Sequence, residues 1–330
     1  MSATGRRVIV SGANGFVGRA VVRDLQRAAF DVIPVVRRPS TGLGSPAPYC
    51  LEDQGSAAAW RRVVEGADAV IHLAAHAHRG ERMGPEGRSL FAAVNCDITE
   101  ALARACQAEG VARFVFMSSV KVFGEASPRT ADGRLLAFNA HSPTQPAGPY
   151  GETKLAAERM LVEILKDTAL CVLRPPLVYG PGMRGNLLVL LAAVARGVPL
   201  PFAAIDNRRS LVHRDTVSLA IRRCLGLPFQ TGPRCFTLAD LEVSTPGLVR
   251  LLATGLGRSA RMLPVAPSIL RLAGRLCRRE AQVARLLDSL VIEGQTARDA
   301  LALDPVPDPA ARFAEIGTCY LRGKEAWQWA

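Results

Sequence analysis

Arg7–Val21 reads RVIVSGANGFVGRAV, and this stretch decides the fold. Its first five residues, RVIVS, are a short apolar run with strand character, and a helix follows from about Gly15 to Ala28. Between them Gly12, Gly15 and Gly18 stand in G-x-x-G-x-x-G spacing. Glycine lets the backbone turn tightly and approach a pyrophosphate, while the helix N-terminus offers free N–H groups and the positive end of its dipole. A tight strand-to-helix turn with no ligand is the plainer reading of three glycines. The strand before them and the helix after them favour a dinucleotide site.

Outward from this turn the chain repeats the same rhythm. DVIPVV (Asp31–Val36), AVIHLA (Ala69–Ala74), RFVFMSS (Arg113–Ser119) and ALCVLRP (Ala169–Pro175) read as strands, with helices around Val94–Glu109 and from Tyr150. The strands are apolar on both faces, as helices covering both sides of a parallel sheet require. The fold class is α/β, a doubly wound parallel sheet of Rossmann type. After Gly180 the pattern changes to helices at NLLVLLAAVARG and DTVSLAIRRCLG around a strand at RSLVH, then helices set off by Pro and Gly. STPGLVRLLATGLG opens on Ser244 or Thr245 as N-cap with Pro246 in the first turn. Residues 1–180 are read as the dinucleotide-binding domain, with return segments near 210–240. Residues 181–330 are read as a smaller, mostly helical substrate domain, interleaved with the first.

Composition bounds the function. The 330 residues carry 49% hydrophobic side chains, enough for a sizeable core. No apolar run reaches the roughly 18 residues of a membrane span, and the N-terminus enters the strand at once, so a cytoplasmic location is expected. The 8 cysteines lack C-x-x-C or metal-ligand spacing, so neither disulfides nor a metal is expected. A net charge of +12 raises the question of nucleic acid, but aromatics make up only 5% and the arginines are dispersed, so none is expected as a partner. PSILRLAGRLCRREAQVARLL (Pro267–Leu287) suits a basic amphipathic surface segment or a domain helix. The domain helix is the reading adopted, with no membrane contact.

The second strand ends VVRRP, where dinucleotide folds commonly place an acid for the adenosine ribose hydroxyls. Arg37 and Arg38 accept no hydrogen bond from a hydroxyl but pair well with a 2′-phosphate. NADP is therefore favoured over NAD, against the plainer reading of two solvated arginines. In PYGETK, Tyr150 and Lys154 share a helix face. An unperturbed phenol is a poor base at neutral pH, and a neighbouring ammonium is expected to lower its pKa. Ser119, at the end of the fifth strand, is positioned to hydrogen-bond the same substrate oxygen. Histidines His76 and His213 are read as packed polar residues, since no triad surrounds either.

Taken together, GANGFVG, VIHLAA, Asn95 in VNCDIT, FVFMSSVKVFG, YGETK and LRPPLVYGPG resemble an extended short-chain dehydrogenase/reductase of the NAD-dependent epimerase/dehydratase family, which acts on nucleotide sugars. The resemblance implies Ser119, Tyr150 and Lys154 as the catalytic set, supported by Asn95. Beside Arg37 and Arg38, it implies cofactor contacts from Gly12, Asn14, Gly15, Phe16, Val17 and Gly18, from Leu73, Ala74, Ala75, Asn95, Tyr150, Lys154 and Pro175, with Lys154 on the ribose, and from Asp53 toward the adenine. LEDQG around Asp53 departs from the usual pattern, and Ile98 stands where many relatives have glycine. For the substrate it implies Ser119, Lys121, Asn186 at the diphosphate and Arg209 at the nucleotide end; singly, the last two also suit a helix cap and a surface arginine.

Dehydratases of this family carry an Asp-Glu pair after the strand-end serine or threonine, where this chain has Val120 and Lys121. Elimination of water is therefore not expected, and hydride transfer at C4 remains. SSVKVFG, RPPLVYGPGMRGN and AIDNRRSLVH resemble a UDP-glucose 4-epimerase-like subgroup of bacterial surface-polysaccharide enzymes. Some members reduce a 4-keto sugar to UDP-N-acetylquinovosamine. The reading is a 4-ketoreductase, with a UDP-hexose 4-epimerase and a non-catalytic cofactor-binding or scaffolding protein as alternatives. Relatives commonly dimerise through two helices beside the tyrosine, and KLAAERMLVEIL permits a homodimer or ordinary packing on the sheet.

Overall fold

In the computed structural model, residues 5–40, 42–44, 46–76, 91–304, 306, 308–323 and 327 are described. The chain runs through β1 (Arg7–Ser11), α1 (Phe16–Arg27), β2 (Asp31–Val36), β3 (Tyr49–Cys50), α2 (Ala57–Val64) and β4 (Ala69–His72). A single π-helical turn, Ala93–Asp97, leads into α3 (Ile98–Ala108), then β5 (Arg113–Met117), α4 (Pro149–Ile164), β6 (Ala169–Arg174) and β7 (Leu177–Tyr179). The remainder comprises α5 (Asn186–Ala195), β8 (Arg209–His213), α6 (Arg214–Gly226), β9 (Gly232–Thr237) and β10 (Leu241–Val243). Helices α7 (Thr245–Gly255), α8 (Pro267–Leu276), α9 (Glu280–Leu287), α10 (Gln295–Ala300) and α11 (Pro309–Leu321) follow among the described residues.

Seven strands form one sheet in the order β3-β2-β1-β4-β5-β6-β9, and every pairing in it is parallel. The order reverses between β1 and β4, and ligands of doubly wound sheets bind in the crevice at that switch point. One face is sealed by α1 and α6, through Val21, Leu25, Ile221 and Leu225. The other is sealed by α2, α3 and α4, through Trp60, Leu102 and Leu161. Strands buried on both faces explain the continuous apolar runs of β1, β4, β5 and β6.

A three-stranded sheet, β10-β8-β7, stands beyond the carboxyl edge of the large one. Its apolar side meets α5, α7 and α11 around Leu191, Leu252 and Phe313, and Tyr179 stacks on Phe313 with ring centroids 5.2 Å apart. Helix α7 starts where Ser244 accepts from the Gly247 N–H at 3.1 Å, with Pro246 in its first turn. Helices α7 and α11 cross almost backbone to backbone: a Cβ on Gly255 would overlap the Phe313 carbonyl, and one on Gly317 the Gly255 carbonyl.

The segment 267–287 is two helices. It breaks at Arg278, whose φ of 54° is left-handed. The Arg279 N–H bonds the Gly274 carbonyl at 2.7 Å and the Arg278 N–H bonds the Arg275 carbonyl at 3.0 Å, a Schellman ending with arginine at the place glycine usually takes.

Candidate active site

The glycine turn is shaped by close approach. Gly12 has φ of 70°, and a Cβ there would lie 2.6 Å from the Ala74 nitrogen, so the turn rests on the backbone at the end of β4. Gly18 sits beneath the Gly12 carbonyl, which an added Cβ would overlap. Gly15 is the N-cap of α1, with no side-chain cap and no acid in the first turn. Its first N–H groups therefore face the crevice with an uncompensated positive end, which suits a pyrophosphate. Asn14, Phe16 and Val17 lie half-buried along the same turn.

Arg37 and Arg38 follow β2 fully on the surface. Arg19 of α1 reaches the loop beyond them, its guanidinium 3.5 Å from Ser40 Oγ and 3.5 Å from the Gly42 carbonyl. Three arginines thus border the end of β2, and Arg19 was not singled out from sequence because nothing in its spacing ties it to that loop. Asp53 is exposed beyond β3. Leu73, Ala74 and Ala75 are half-buried past the end of β4, and the buried Pro175 carbonyl accepts from the Val120 N–H at 3.1 Å.

Asn95 is fully buried in the π-helical turn, a device common at functional sites. Its Oδ1 accepts from the His76 N–H at 2.8 Å and its Nδ2 donates to Thr153 Oγ1 at 3.1 Å. It therefore ties the loop after β4 to the tyrosine helix. His72 is interior, between Ser11 Oγ at 2.6 Å and Thr99 Oγ1 at 2.9 Å, and burial pushes its pKa down to about 3.

Ser119 and Tyr150 meet. Ser119 caps the short 3-10 turn Val120–Val122, accepting from the Lys121 N–H at 3.3 Å, and its hydroxyl lies close enough to Tyr150 to favour the phenolate. The approach depends on Gly151, where a Cβ would lie 2.5 Å from the Lys121 carbonyl. Gly148, with φ of 91°, and Pro149 start α4 so that Tyr150 enters the crevice in its first turn.

Lys154 lies one turn on, 1% exposed, with Nζ donating to the Met117 carbonyl at 2.7 Å and lying 4.6 Å from the Phe116 ring centroid. Here the structure corrects the sequence expectation. Desolvation pushes the Tyr150 phenol up to about 12, with Ser119 opposing, and no lowering by Lys154 is felt. Desolvation also takes Lys154 down to about 7, against the pull of Glu158 and Cys96. Burial outweighs the pairing because the ammonium points to a backbone carbonyl.

Beneath these groups Glu158 and Arg174 form a buried two-pronged ion pair, at 2.6 and 3.1 Å, and Ser118 Oγ donates to the same carboxylate. Glu158 follows Lys154 by one helical turn, a spacing visible in YGETKLAAE.

On the substrate side Lys121 pairs with Glu125, and Arg285 of α9 approaches the same carboxylate at 3.4 Å. Arg209 donates to the Asp288 carbonyl at 2.9 Å, and the repulsion it and Arg285 exert on Lys121 places all three cations together. Desolvation leads the depression of the Lys121 pKa, and Glu125 opposes it. Lys121, Arg209 and Arg285 thus gather around Glu125, a cluster of cations suited to a diphosphate. Arg285 lies in the segment read only as a domain helix. Asn186 is exposed at the first position of α5, after Gly185 with φ of 66°. No cluster of metal-ligating side chains exists among the described residues.

A doubly wound sheet with this glycine turn and a Ser/Tyr/Lys set at its carboxyl edge defines an extended short-chain dehydrogenase/reductase. The chain belongs to the NAD dependent epimerase/dehydratase family, whose profile matches residues 8–231. It is 29% identical over 323 residues to a UDP-glucose 4-epimerase of Vibrio cholerae, covering 96% of each chain. Among solved structures it is similar to MoeE5 in complex with UDP-glucose and NAD, with TM-score 0.74, 24% identity, and 96% and 99% of the two chains covered. It is also similar to the UDP-N-acetylglucosamine 4-epimerase of Bacillus cereus, with TM-score 0.75, 19% identity, and 97% and 98% covered. At these identities the structural likeness is one of fold.

Proposed function

We propose that this protein carries out hydride transfer at C4 of a UDP-hexose or UDP-N-acetylhexosamine, acting as a 4-ketoreductase that uses NADP. The observation that carries the chemistry is the convergence of Ser119 and Tyr150 at the crevice, with the buried Lys154 one helical turn on. The residues present fit a nicotinamide dinucleotide: the uncapped α1 N-terminus takes the pyrophosphate, and Arg19, Arg37 and Arg38 border the adenosine ribose end. When bound, the nicotinamide supplies the hydride. Tyr150 gives a proton to the C4 oxygen and Ser119 donates a hydrogen bond that holds its charge. Lys154 gains affinity for a proton when an anionic ligand lies nearby and, so charged, holds the cofactor's ribose end beside Tyr150. Val120 and Lys121 provide no carboxylate to expel water. Lys121, Arg209 and Arg285 face the UDP diphosphate, with Asn186 at the helix start.

The absence of an acid after β2 favours a cofactor exchanged every turnover. A UDP-glucose 4-epimerase retaining NAD is the second reading, favoured by the full-length match to the Vibrio cholerae protein. We place the protein in the cytoplasm, as a homodimer through the outer faces of α3 and α4. The deciding experiment denatures the purified protein, identifies any released dinucleotide, and titrates NADH against NADPH with a UDP-4-keto sugar. Little released dinucleotide and reduction with NADPH are expected. Stoichiometric NAD with interconversion of UDP-glucose and UDP-galactose would replace the reductase by the epimerase.

A further inference from the structure

No helix among the described residues is long and apolar enough to cross a membrane. Helix α8 nevertheless presents an unusual face. Ile269, Leu272 and Leu276 are 58%, 55% and 77% exposed, and Ala273 is exposed between them. At 3.6 residues per turn these four form one stripe, turned away from Gly274, the helix's buried residue. Leu263, just before the helix, is 52% exposed.

Basic residues surround the stripe. Arg271, Arg275, Arg278 and Arg279 are exposed, and Glu280 is the one acid within residues 267–287. Arg271 pairs with Asp288 at 2.8 Å, whereas Arg275, Arg278 and Arg279 make no side-chain ion pair with a described residue. Arg278 also holds a left-handed φ of 54° that glycine adopts without strain.

The hairpin is anchored on one side only. Helix α9 is tied to the body: Asn207 Nδ2 and Thr245 Oγ1 donate to the Leu286 carbonyl at 3.0 and 2.7 Å, and Arg209 donates to the Asp288 carbonyl. Helix α8 rests on α9 where a Cβ on Gly274 would lie 2.8 Å from Val283 Cγ2. The inner helix thus carries Arg285 to the candidate substrate pocket while the outer one turns its leucines to solvent.

We infer that α8 is a docking surface for a lipid bilayer bearing anionic headgroups, with Ile269, Leu272 and Leu276 entering the interface and Arg275, Arg278 and Arg279 on the phosphates. An apolar stripe rimmed by arginine is the chemistry of a helix lying in the plane of a bilayer. A second copy of this chain is a poorer occupant, because a two-fold contact would bring the same arginines against each other. This goes beyond the sequence reading, which takes the segment as a domain helix without membrane contact. The inference stands apart from the sugar chemistry, and it sets the Lys121, Arg209 and Arg285 side of the pocket next to the membrane.

The test is flotation of the full-length protein with vesicles of phosphatidylglycerol mixed with phosphatidylcholine, and with vesicles of phosphatidylcholine alone. Binding to the anionic vesicles only, weakening with salt, is expected. The combined change Ile269→Ser, Leu272→Ser, Leu276→Ser should abolish it, and Arg275→Gln or Arg278→Gly should each weaken it about fivefold. Arg278→Gly also relieves the backbone, so its melting temperature should not fall. Failure of the wild-type protein to float, or equal binding to neutral vesicles, overturns the inference. So does binding that survives loss of the three apolar side chains, which would make the face a polyanion site. A dimer in sedimentation velocity that the triple change dissolves, without vesicle binding, would assign the face to a second copy.

Discussion

Lys154 keeps an ammonium against a carbonyl and a phenyl ring, and that burial works against the fold until the charge is lost. Its pKa falls from 10.5 to about 7 on folding, so between these values the unfolded chain holds more protons. Stability must therefore rise with pH across that window, by up to about 1 kcal/mol per pH unit from this group. The difference between wild type and Lys154→Met, from denaturant unfolding of cofactor-free protein at pH 6.5 and pH 9, should show this gain. A difference that does not change with pH would place the ammonium in water. Tyr150 stays protonated throughout the window. Tyr150→Phe should lower turnover at least a hundredfold, the scale of general acid–base catalysis, while dinucleotide affinity by fluorescence titration stays within a few-fold. That Ser119 and Tyr150 belong to one site is what the family resemblance implies, since the Y-x-x-x-K spacing alone is too common to say so. The direction of the tyrosine and lysine shifts was not legible, since spacing shows which groups are near and not which atom an ammonium points to. Arg19 and Arg285 carried no signal, because no spacing ties Arg19 to the loop after β2 or Arg285 to Lys121 and Glu125.

At the scale of elements the glycine turn leaves no room for a side chain, since Gly12 lies on the backbone after β4 and Gly18 beneath Gly12. Gly18→Ala should destabilise by about 1–3 kcal/mol through overpacking and widen the turn, weakening dinucleotide binding together with thermal stability. Calorimetric titration beside a melting curve checks both, and unchanged values in each would show that the turn has room. The strands β1, β2, β4, β5 and β6 were legible because burial on two faces leaves continuous apolar runs. The pairs and triplets β3, β7 and β10 are too short to show a period. Strand β9, GPRCFT, reads poorly because it is an edge strand, where glycine, proline and arginine are tolerated. The break between α8 and α9 was invisible, since arginine at a helix end gives no stop signal comparable to glycine.

Across the whole molecule, the C-terminal half is closed by α11 lying on α7 through Gly255 and Gly317, with Phe313 stacked on Tyr179. Gly317→Leu should lift α11 away, exposing the core around Leu252 and Ile316 and lowering the melting temperature by several degrees. Limited proteolysis should then cut within 309–321 first, and an unchanged pattern would show that the two helices have slack. The doubly wound plan was legible from the first strands and helices alone, whereas the packing of 181–330 depends on such helix contacts, which have no periodic signature. The sheet order has a further consequence for how the chain is made. Strand β6 pairs with β5 on one side and with β9 on the other, and β9 lies roughly sixty residues downstream, which at about 5–20 residues per second is some 3–12 s of translation. During that interval a nascent chain carries β6 as a bare, apolar sheet edge, so the ribosome-bound intermediate is where chaperones have most to hold.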